Sequence, residues 1–251
     1  MTSADSDLTH SSDPLADVPP LTTTILTSEE DKIAALKLVA DSIAQQRQFA
    51  SRAVIFHPIT IAVYIVIVAT VSQFIYKDRS DLGILVTTLA GVTMACLIAI
   101  RGATAGYLTQ AEDFKWAWIQ NEESEEEDTI IGSRYGEEII GACVLRLERN
   151  GNGAGKKKVK NGKTGGQGVV RAWTVRIRYR GGGVGTGLLE EAVKVTREKL
   201  GNSAEIGFAA QHANSKMVLP ETFNGGFRKR ERKAAKALEA VVENMDGRKK
   251  R

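Results

Sequence analysis

A chain of 251 residues with a formal net charge of +4 has room for one good-sized domain and additional segments. Its two cysteines lie in an apolar run and in a predicted strand, which disfavours a disulfide framework, and its acidic, polar N-terminus lacks the apolar core of a cleaved secretory signal. Basic residues predominate after residue 168, a bias that suits a polyanionic cofactor, an anionic membrane surface or nucleic acid equally well.

The N-terminal part of the chain changes character near residue 28. Residues 1–28 are rich in Ser, Thr, Asp and Pro, a composition typical of a disordered tail. Ser28 precedes three acidic residues, as at a capped helix start, and apolar residues at helical spacing predict an amphipathic helix over residues 29–53. We expect this helix to lie against a membrane or against the soluble domain.

Two apolar segments follow, residues 54–76 and 82–100, and neither contains a charged residue. Each is long enough to cross a hydrocarbon core, so a transmembrane helical hairpin is predicted within residues 54–110, with both ends on one side. The alternative is a buried helical hairpin of a soluble protein. The positive charges that flank the two segments are nearly balanced, so the positive-inside rule does not predict which side of the membrane their ends face. The lack of Asn-x-Ser/Thr sequons and the few cysteines favour the cytosolic side.

The segments after the hairpin are expected to enter a sheet. Residues 101–120 extend the second span as an amphipathic or interfacial helix, and residues 122–128 form a solvated acidic loop, alternatively a surface that attracts a basic substrate peptide. Strands are predicted at residues 129–133 and 138–148. Residues 150–168, rich in Gly, Lys and Asn, are predicted to be a flexible insertion.

Residues 169–200 are the most informative stretch of the chain. They predict a strand over residues 169–180, a loop with four glycines in five residues, and then an amphipathic helix. This order lays backbone N–H groups and the positive end of a helix dipole against a phosphate. A dinucleotide fingerprint fails because its last glycine would be Thr186 or Leu188, and a nucleotide P-loop fails at Lys157. The alternative is a glycine-rich turn that only reverses the chain.

The order of residues in this loop resembles a known family. Arg180 and the glycines after it fit the pattern Arg/Gln-x-x-Gly-x-Gly/Ala, and the segment resembles motif A of the GNAT superfamily of acyl-CoA-dependent N-acyltransferases. After a predicted strand at residues 204–210, Asn214 and the pair Gly226-Phe227 resemble motif B, in which an Asn precedes a helix that ends in Gly-Phe.

The resemblance implies an α/β fold, a GNAT-like mixed β-sheet flanked by helices, here preceded by the two-helix transmembrane hairpin. It also implies acetyl-CoA as co-substrate, with its pyrophosphate on the loop amides and its pantetheine arm along the preceding strand. No metal site is predicted. The residues implied to bind acetyl-CoA are Val175, Arg176, Ile177, Arg180, Gly181, Gly182, Gly183, Val184, Gly185, Thr186 and Asn214.

Two residues common in this family are missing, a Tyr after the motif B Asn and a Glu on the fourth strand. Attack of an amine on a thioester still requires a proton acceptor, directly or through water. The candidates are Glu137, Glu138 and His212, and we assign catalysis to Glu138 and His212. The alternatives are ordinary surface carboxylates and a loop histidine that forms only local hydrogen bonds.

The C-terminal segment, residues 228–251, is predicted to be a basic helix and tail where the family commonly has a closing hairpin. Its last four residues resemble a dibasic endoplasmic-reticulum retrieval signal, and basic runs alternatively serve nuclear import or contact anionic lipid. Nucleic-acid binding is not expected, because aromatic residues do not interleave the basic ones.

Together these observations predict a membrane-anchored N-acetyltransferase of fungal or eukaryotic type, with a GNAT-like domain over residues 111–227. Its expected partners are the lipid bilayer and a protein or lipid that carries a primary amine. Its expected location is the endoplasmic reticulum, with the catalytic domain facing the cytosol. The alternative function is a catalytically silent GNAT-like membrane adaptor or assembly factor, and a third is a soluble DNA-binding protein.

Overall fold

The computed structural model describes residues 19–120, 127–149 and 166–249, and it contains a five-stranded mixed sheet with helices on both faces. The strands, in their order across the sheet, are β1 (Leu21–Ile25), β2 (Thr129–Tyr135), β3 (Glu138–Glu148), β4 (Gln167–Val175) and β5 (Glu205–Phe208). Neighbours are antiparallel from β1 to β4, and β5 is parallel to β4. The predicted mixed α/β fold is confirmed.

Six helices accompany the sheet in the described parts of the chain. They are α1 (Glu29–Ile55), α2 (Pro58–Ile75), α3 (Leu82–Ala103), α4 (Gly106–Glu112), α5 (Val184–Leu200) and α6 (Gly225–Lys249). Short 3-10 turns occupy Arg79–Asp81, Trp116–Ile119, Ile177–Tyr179 and Glu221–Phe223. One face of the sheet packs against α1, and the other packs against α5, which α6 covers in turn.

The central strand β3 explains how the sheet is held between these layers. Its residues 139–145 are all buried, because alternate side chains pack into the α1 core and the α5 core. Ala142 and Val144 face the α1 side, whereas Cys143 and Leu145 face the α5 side. A strand covered on both faces accounts for the continuous apolar run in the sequence.

Burial on the α5 side raises the pKa of the Cys143 thiol to about 12, so almost no thiolate forms at mildly alkaline pH. We expect N-ethylmaleimide to leave Cys143 unmodified in the folded protein and to modify it once concentrated guanidinium unfolds the chain. Peptide mass spectrometry before and after unfolding measures this. Modification of the folded protein at the rate of a free thiol would show that this core is open.

The sheet begins earlier in the chain than predicted. Leu21–Ile25 forms β1 and pairs along β2, so the expected tail over residues 1–28 is wrong for this stretch, and residues 1–18 lie outside the described residues. Three consecutive threonines favour a strand, and the Thr23 and Ser133 hydroxyls are 2.8 Å apart across the pair. The helix that follows, α1, buries its apolar face on the sheet, so it belongs to the domain.

The predicted hairpin corresponds to α2 and α3. Pro58 occupies the first position of α2, and the His57 Nδ1 atom caps this helix by accepting the Ile59 N–H at 3.3 Å. By length and composition alone, Pro58–Ile75 and the helical stretch Arg79–Glu112 are apolar enough to cross a membrane. Their apolar windows are not buried inside the described part of the protein, which disfavours the alternative of a buried soluble hairpin.

The chain between the hairpin and β2 departs from prediction. The expected continuous helix over residues 101–120 is wrong, since α3 ends at Ala103 and the short α4 and a 3-10 turn follow. Trp116 and Trp118 pack against the α1 core and are not free to lie at a membrane interface. The prediction of a solvated acidic loop over residues 122–128 is wrong for Asp128, which is only 5% exposed. Residues 121–126 lie outside the described residues.

Asp128 is buried because it holds two arginines. Its carboxylate accepts from Arg146 Nε at 2.8 Å and also from the Arg171 guanidinium. Arg171 donates in addition to the Trp118 carbonyl at 2.7 Å, and its guanidinium lies 3.9 Å from the centroid of the Trp118 ring. This network joins β3, β4 and the 3-10 turn beneath the sheet.

The C-terminal elements also differ from the motif B expectation. No helix forms between Asn214 and Gly225 beyond the 3-10 turn Glu221–Phe223, and the Gly225-Gly226-Phe227 segment opens α6 where a helix was expected to end. A Cβ at Gly226 would lie 2.7 Å from Phe49 Cζ, so glycine is what lets the first turn of α6 approach α1. The helix expected within residues 228–251 therefore starts at Gly225.

Candidate active site

The glycine loop lies at the end of β4 and leads directly into α5. Gly181 has a φ of 89° and Gly183 a φ of 84°, a left-handed backbone that favours glycine. A Cβ at either position would meet nothing within 4 Å, so the backbone conformation, and not crowding, requires glycine here. Gly183 is also the N-cap of α5, and it offers no side chain to cap the helix.

The loop presents a row of free donors. Within the described parts of the chain, the backbone N–H groups of residues 181–186 have no hydrogen-bond partner. Glycines 181–183 and Thr186 are exposed, and the first turn of α5 contains no acidic residue. Unpaired N–H groups at the positive end of a 17-residue helix suit an anion, and the binding of a phosphate by this loop stays a prediction.

Gly185 fixes the first turn of α5 on β4. A Cβ there would lie 2.9 Å from Trp173 Cζ2, and Trp173 Nε1 donates to the Gly185 carbonyl at 3.0 Å. The indole therefore packs under the helix start, with the Phe208 ring 6.0 Å away between centroids. This contact positions the loop amides relative to the strand that precedes them.

The strand β4 has an open edge next to this loop. Pairing between β4 and β5 ends at Val170 and Phe208, after which the Ala213 N–H reaches the Arg171 carbonyl at 2.8 Å. The Arg176 N–H donates to the Ile140 carbonyl at 2.8 Å. Because backbone groups along a strand point alternately to its two sides, this bond determines which residues of β4 point their N–H and C=O groups toward β3. The backbone groups of Trp173 consequently point away from β3, toward the edge that β5 leaves open.

This edge differs from the predicted one. β4 ends at Val175, so the expected strand over residues 169–180 is too long, and Arg176 and Ile177 lie at the start of a 3-10 turn. The Val175 carbonyl accepts from Arg180 Nε at 2.7 Å. The free backbone groups at this edge are therefore both groups of Trp173 and the N–H of Val175. The sequence singled out Val175 but not Trp173, because strand register, and not residue type, determines which residues face the edge.

Arg180 directly precedes the loop, and a second guanidinium group, that of Arg230, lies within electrostatic reach of it. Arg180 is fixed on Val175, and Arg230, from the second turn of α6, lies 3.6 Å from the centroid of the Phe49 ring. Burial, and then the positive charge of Arg180, lower the pKa of Arg230, which places the two cations within electrostatic reach. Neither forms an ion pair with a carboxylate in the described ranges. Two such cations next to free amides suit an anionic ligand.

Glu138 lies at the start of β3, close to the end of β4. Its carboxylate forms an ion pair with Arg176 and accepts a 3.4 Å hydrogen bond from the Tyr179 hydroxyl. Its side chain is 44% exposed. These contacts tie the carboxylate to the turn after β4 and engage both of its oxygens. Glu137, the third candidate, lies in the exposed turn between β2 and β3.

His212 lies in the loop after β5, which contacts the edge of β4 at Arg171, next to the part of the edge that stays open. Its Nδ1 atom accepts the Asn214 N–H at 3.2 Å, and its Nε2 atom is 3.8 Å from the Glu231 carboxylate of α6. Burial lowers the pKa of the imidazole, and the charge of Glu231 partly opposes this. The ring is therefore neutral at neutral pH, and its hydrogen bond assigns the proton to Nε2.

Asn214, predicted to bind the cofactor, contacts α1. Its side-chain amide lies 3.5 Å from the Ser42 hydroxyl, and its carbonyl accepts from Gln46 Nε2 at 3.2 Å. These contacts fasten the loop that carries His212 to the opposite face of the sheet from α5. The structure does not bring Asn214 to the glycine loop.

The lowered pKa of His212 predicts a pH dependence of stability. Between that lowered value and the ordinary 6.5, the unfolded chain binds more protons, so stability rises with pH and is lost as pH falls through this window. We expect His212→Gln to flatten this slope. Thermal unfolding in detergent across mildly acidic to neutral pH measures it, and an unchanged slope in the variant would contradict the assignment.

With this geometry described, comparison with known proteins identifies the domain. Residues 98–218 match the family model described as Acetyltransferase (GNAT) family. The chain carries a GNAT domain. The matched stretch contains the glycine loop, β2 to β5 and the His212 loop, so the resemblance drawn from the motifs is confirmed at the level of this family. No curated protein sequence matches the chain.

Two solved structures are similar to the chain at low identity. A transcriptional regulator from Bacillus halodurans C-125 is 14% identical, with a TM-score of 0.27, over 44% of this chain and 63% of that one. An integron cassette protein from the mobile metagenome of V. cholerae is 14% identical, with a TM-score of 0.34, over 84% of this chain and 83% of that one. The chain thus spans less than two thirds of the regulator.

Proposed function

We propose that this chain is a membrane-anchored N-acetyltransferase that transfers the acetyl group of acetyl-CoA to a primary amine of a protein or lipid. The observation that carries the proposal is the stretch 181–186, whose N–H groups have no partner among the described residues and stand at the positive end of α5 within a GNAT domain. Left-handed glycines also occur in turns that only reverse the chain, so the feature that favours a binding site is the uncapped N-terminus of α5.

The residues around the loop fit the co-substrate. The loop amides would hold its diphosphate, and Arg180 and Arg230 would balance the negative charge. The free backbone of Trp173 would pair with the amide-containing pantetheine arm, as an added strand pairs with a sheet edge. The acyl end would then lie between β4 and the loop that carries His212.

The chemistry forms a C–N bond and breaks a C–S bond, so the attacking amine must lose a proton and the departing thiolate must gain one. We assign proton acceptance to His212, which is neutral at neutral pH, with Glu231 3.8 Å from Nε2 to stabilise the imidazolium. The Nδ1 lone pair that would take the proton accepts the Asn214 N–H, so that bond must open first. Positioning of the two substrates supplies a further part of the rate.

The anchor is the hairpin of α2 and α3, and we propose that it crosses the bilayer with both of its ends on the side of the GNAT domain. A location in the endoplasmic reticulum, with the domain in the cytosol, and a fungal or eukaryotic origin remain parts of this proposal. Carbonate extraction tests insertion, and protease protection of sealed microsomes tests orientation. Release of the protein by carbonate would contradict the anchor.

The activity is tested with the full chain purified in detergent. Isothermal titration with acetyl-CoA measures binding, and transfer of radiolabelled acetyl groups to lysine peptides and to phosphatidylethanolamine measures catalysis. We expect binding with a strong salt dependence, because the contacts are charged. No binding at millimolar acetyl-CoA would overturn the proposal.

The second candidate function is a catalytically silent GNAT-like adaptor of the membrane. It is favoured by the missing Tyr and strand Glu, and by the ion pair that engages Glu138. The free loop argues against it, since an adaptor has no use for an anion site. Absence of acetyl transfer to any amine, with or without binding of acetyl-CoA, would favour the adaptor.

A further inference from the structure

The first turns of α6 lie at the base of the hairpin, a placement that the sequence alone does not reveal. The Phe223 ring, just before α6, is 4.7 Å from the imidazole of His57, the residue that caps α2. Three residues further on, Gly226 packs on Phe49, and Phe227 meets the same ring at 4.8 Å. α6 therefore leaves the hairpin base and rises along the last turns of α1.

This placement gathers cations around the base. We define the basal collar as five exposed residues that come from four separate parts of the chain. They are Arg52, Arg101, Lys216, Arg228 and Lys229. Arg52 and Arg101 stand at the ends of α1 and α3, which the bond from Arg47 Nη2 to the Arg101 carbonyl (3.2 Å) holds side by side. Lys216 precedes Met217 and Val218, which pack in the cluster around Tyr107.

The collar lies at the depth of lipid headgroups if the hairpin spans the bilayer. Arg228 is five residues past Phe223, or roughly 7 Å along a helix axis. The polar layer on each side of the hydrocarbon core is roughly 5–8 Å thick. One carboxylate, that of Glu221, contacts the collar in the described residues, and it pairs with Arg228 at 2.8 Å.

The opposite end of the hairpin is different. There Lys77 and Arg79 alternate with Asp78 and Asp81, and the Asp81 carboxylate accepts the backbone N–H groups of Lys77 and Asp78. Its charges balance locally. At the base, Arg52 and Arg101 supply two cations, and the packing of α6 and the loop before it adds Lys216, Arg228 and Lys229.

We propose that the basal collar binds the headgroups of anionic phospholipids in the leaflet that faces the GNAT domain. This inference rests on the proposed membrane insertion of α2 and α3. Arginine and lysine side chains donate to lipid phosphate and carboxylate oxygens, and cations near an anionic surface attract it within a Debye length. The apolar Phe56 and Ile59 directly below the collar, 71% and 57% exposed, suit lipid and not a nucleic acid.

The test uses the full chain reconstituted into phosphatidylcholine vesicles that contain a minority of phosphatidylserine. Spin-labelled phosphatidylserine and phosphatidylcholine report the motionally restricted lipid around the protein. We expect a several-fold preference for phosphatidylserine that declines as salt is added. The collar variant Arg52→Gln/Arg101→Gln/Lys229→Gln is expected to lose it.

The matched control is Lys194→Gln/Lys199→Gln/Lys236→Gln, which removes the same charge from exposed sites on α5 and farther along α6. An equal loss in both variants would show an effect of net charge and overturn the collar. The proposal would also be overturned if the vesicle-inserted wild-type protein showed no preference between the two lipids at any salt concentration. Binding of RNA, and not of phosphatidylserine, to the collar would overturn it as well. Protein that carbonate releases from the vesicles would instead overturn the anchor of the proposed function.

Discussion

Replacing Gly183 by glutamate is expected to abolish acetyl-CoA binding and acetyl transfer. Gly183 is the N-cap of α5, with a φ of 84° and open space around its Cα, so a new carboxylate has room to fold over the loop. That carboxylate would accept the free N–H groups of the first turn and repel the diphosphate. Like charges brought together cost several kcal/mol, which corresponds to an affinity loss of about 100-fold or more.

The structure provides a matched control at the other end of the same helix. Gly201, the C-cap of α5, has a φ of 98°, and a Cβ there also meets nothing within 4 Å. Gly201→Glu therefore introduces the same side chain away from the loop, and its backbone cost, about 1–3 kcal/mol, is at least as large because a φ of 98° with a ψ of 157° suits essentially glycine alone. We expect both variants to unfold at lower temperature than the wild-type protein, and only Gly183→Glu to lose the ligand.

Titration calorimetry and the labelled transfer assay, at a temperature where both variants are folded, separate binding from stability. Equal affinities for acetyl-CoA in the two variants would show that the loop amides do not bind the diphosphate. Loss of binding in both would show that general destabilisation, and not the site, is responsible.

Local sequence signals were enough to predict the glycine loop and the hairpin. The loop depends on left-handed glycines next to a strand and a helix, and the hairpin depends on two uninterrupted apolar segments, so neighbouring residues specify both. β1 could not be predicted in this way. Its three threonines become a strand only by pairing with β2, and the hydroxyl contact from Thr23 to Ser133 joins residues 110 positions apart.

The candidate site was predicted less completely for the same reason. The apolar residues Ile177 and Tyr179 continue the alternation of β4, yet Ile177 is 62% exposed, because the bond from Arg176 to Ile140 is the last rung before the chain turns. Arg230 lies in an exposed basic run, where nothing local distinguishes it from its neighbours. Its contact with Phe49 and its proximity to Arg180 follow from the packing of α6.

The second large effect is expected at Asp128. Replacing it with alanine should lower the free energy of unfolding by about 3–5 kcal/mol, because Arg146 and Arg171 would lose the carboxylate they share. Their side chains are only 22% and 16% exposed, so water replaces the lost partner poorly. Asp128→Asn keeps the shape and one acceptor, and we expect it to lie between alanine and the wild-type protein.

The neighbouring Glu127 is a suitable control. It is 40% exposed and pairs with Lys32 at 2.9 Å at the surface, so Glu127→Ala should cost less than about 1 kcal/mol. Urea unfolding in detergent, followed by tryptophan fluorescence, compares the midpoints at constant slope. Equal midpoints for Asp128→Ala and Glu127→Ala would show that the network under the sheet adds no stability.

Asp128 also connects this stability to the site. Arg171, which it holds, accepts the Ala213 N–H through its own carbonyl, and this bond keeps the His212 loop on the edge of β4. If the carboxylate fixes that stretch of backbone, Asp128→Ala should reduce acetyl transfer even where it is still fully folded, while acetyl-CoA binding at the distant glycine loop is retained. A variant that is destabilised yet transfers acetyl groups at the wild-type rate would show that the network supports only the sheet, and that the His212 loop is held by its contacts with Ser42 and Gln46.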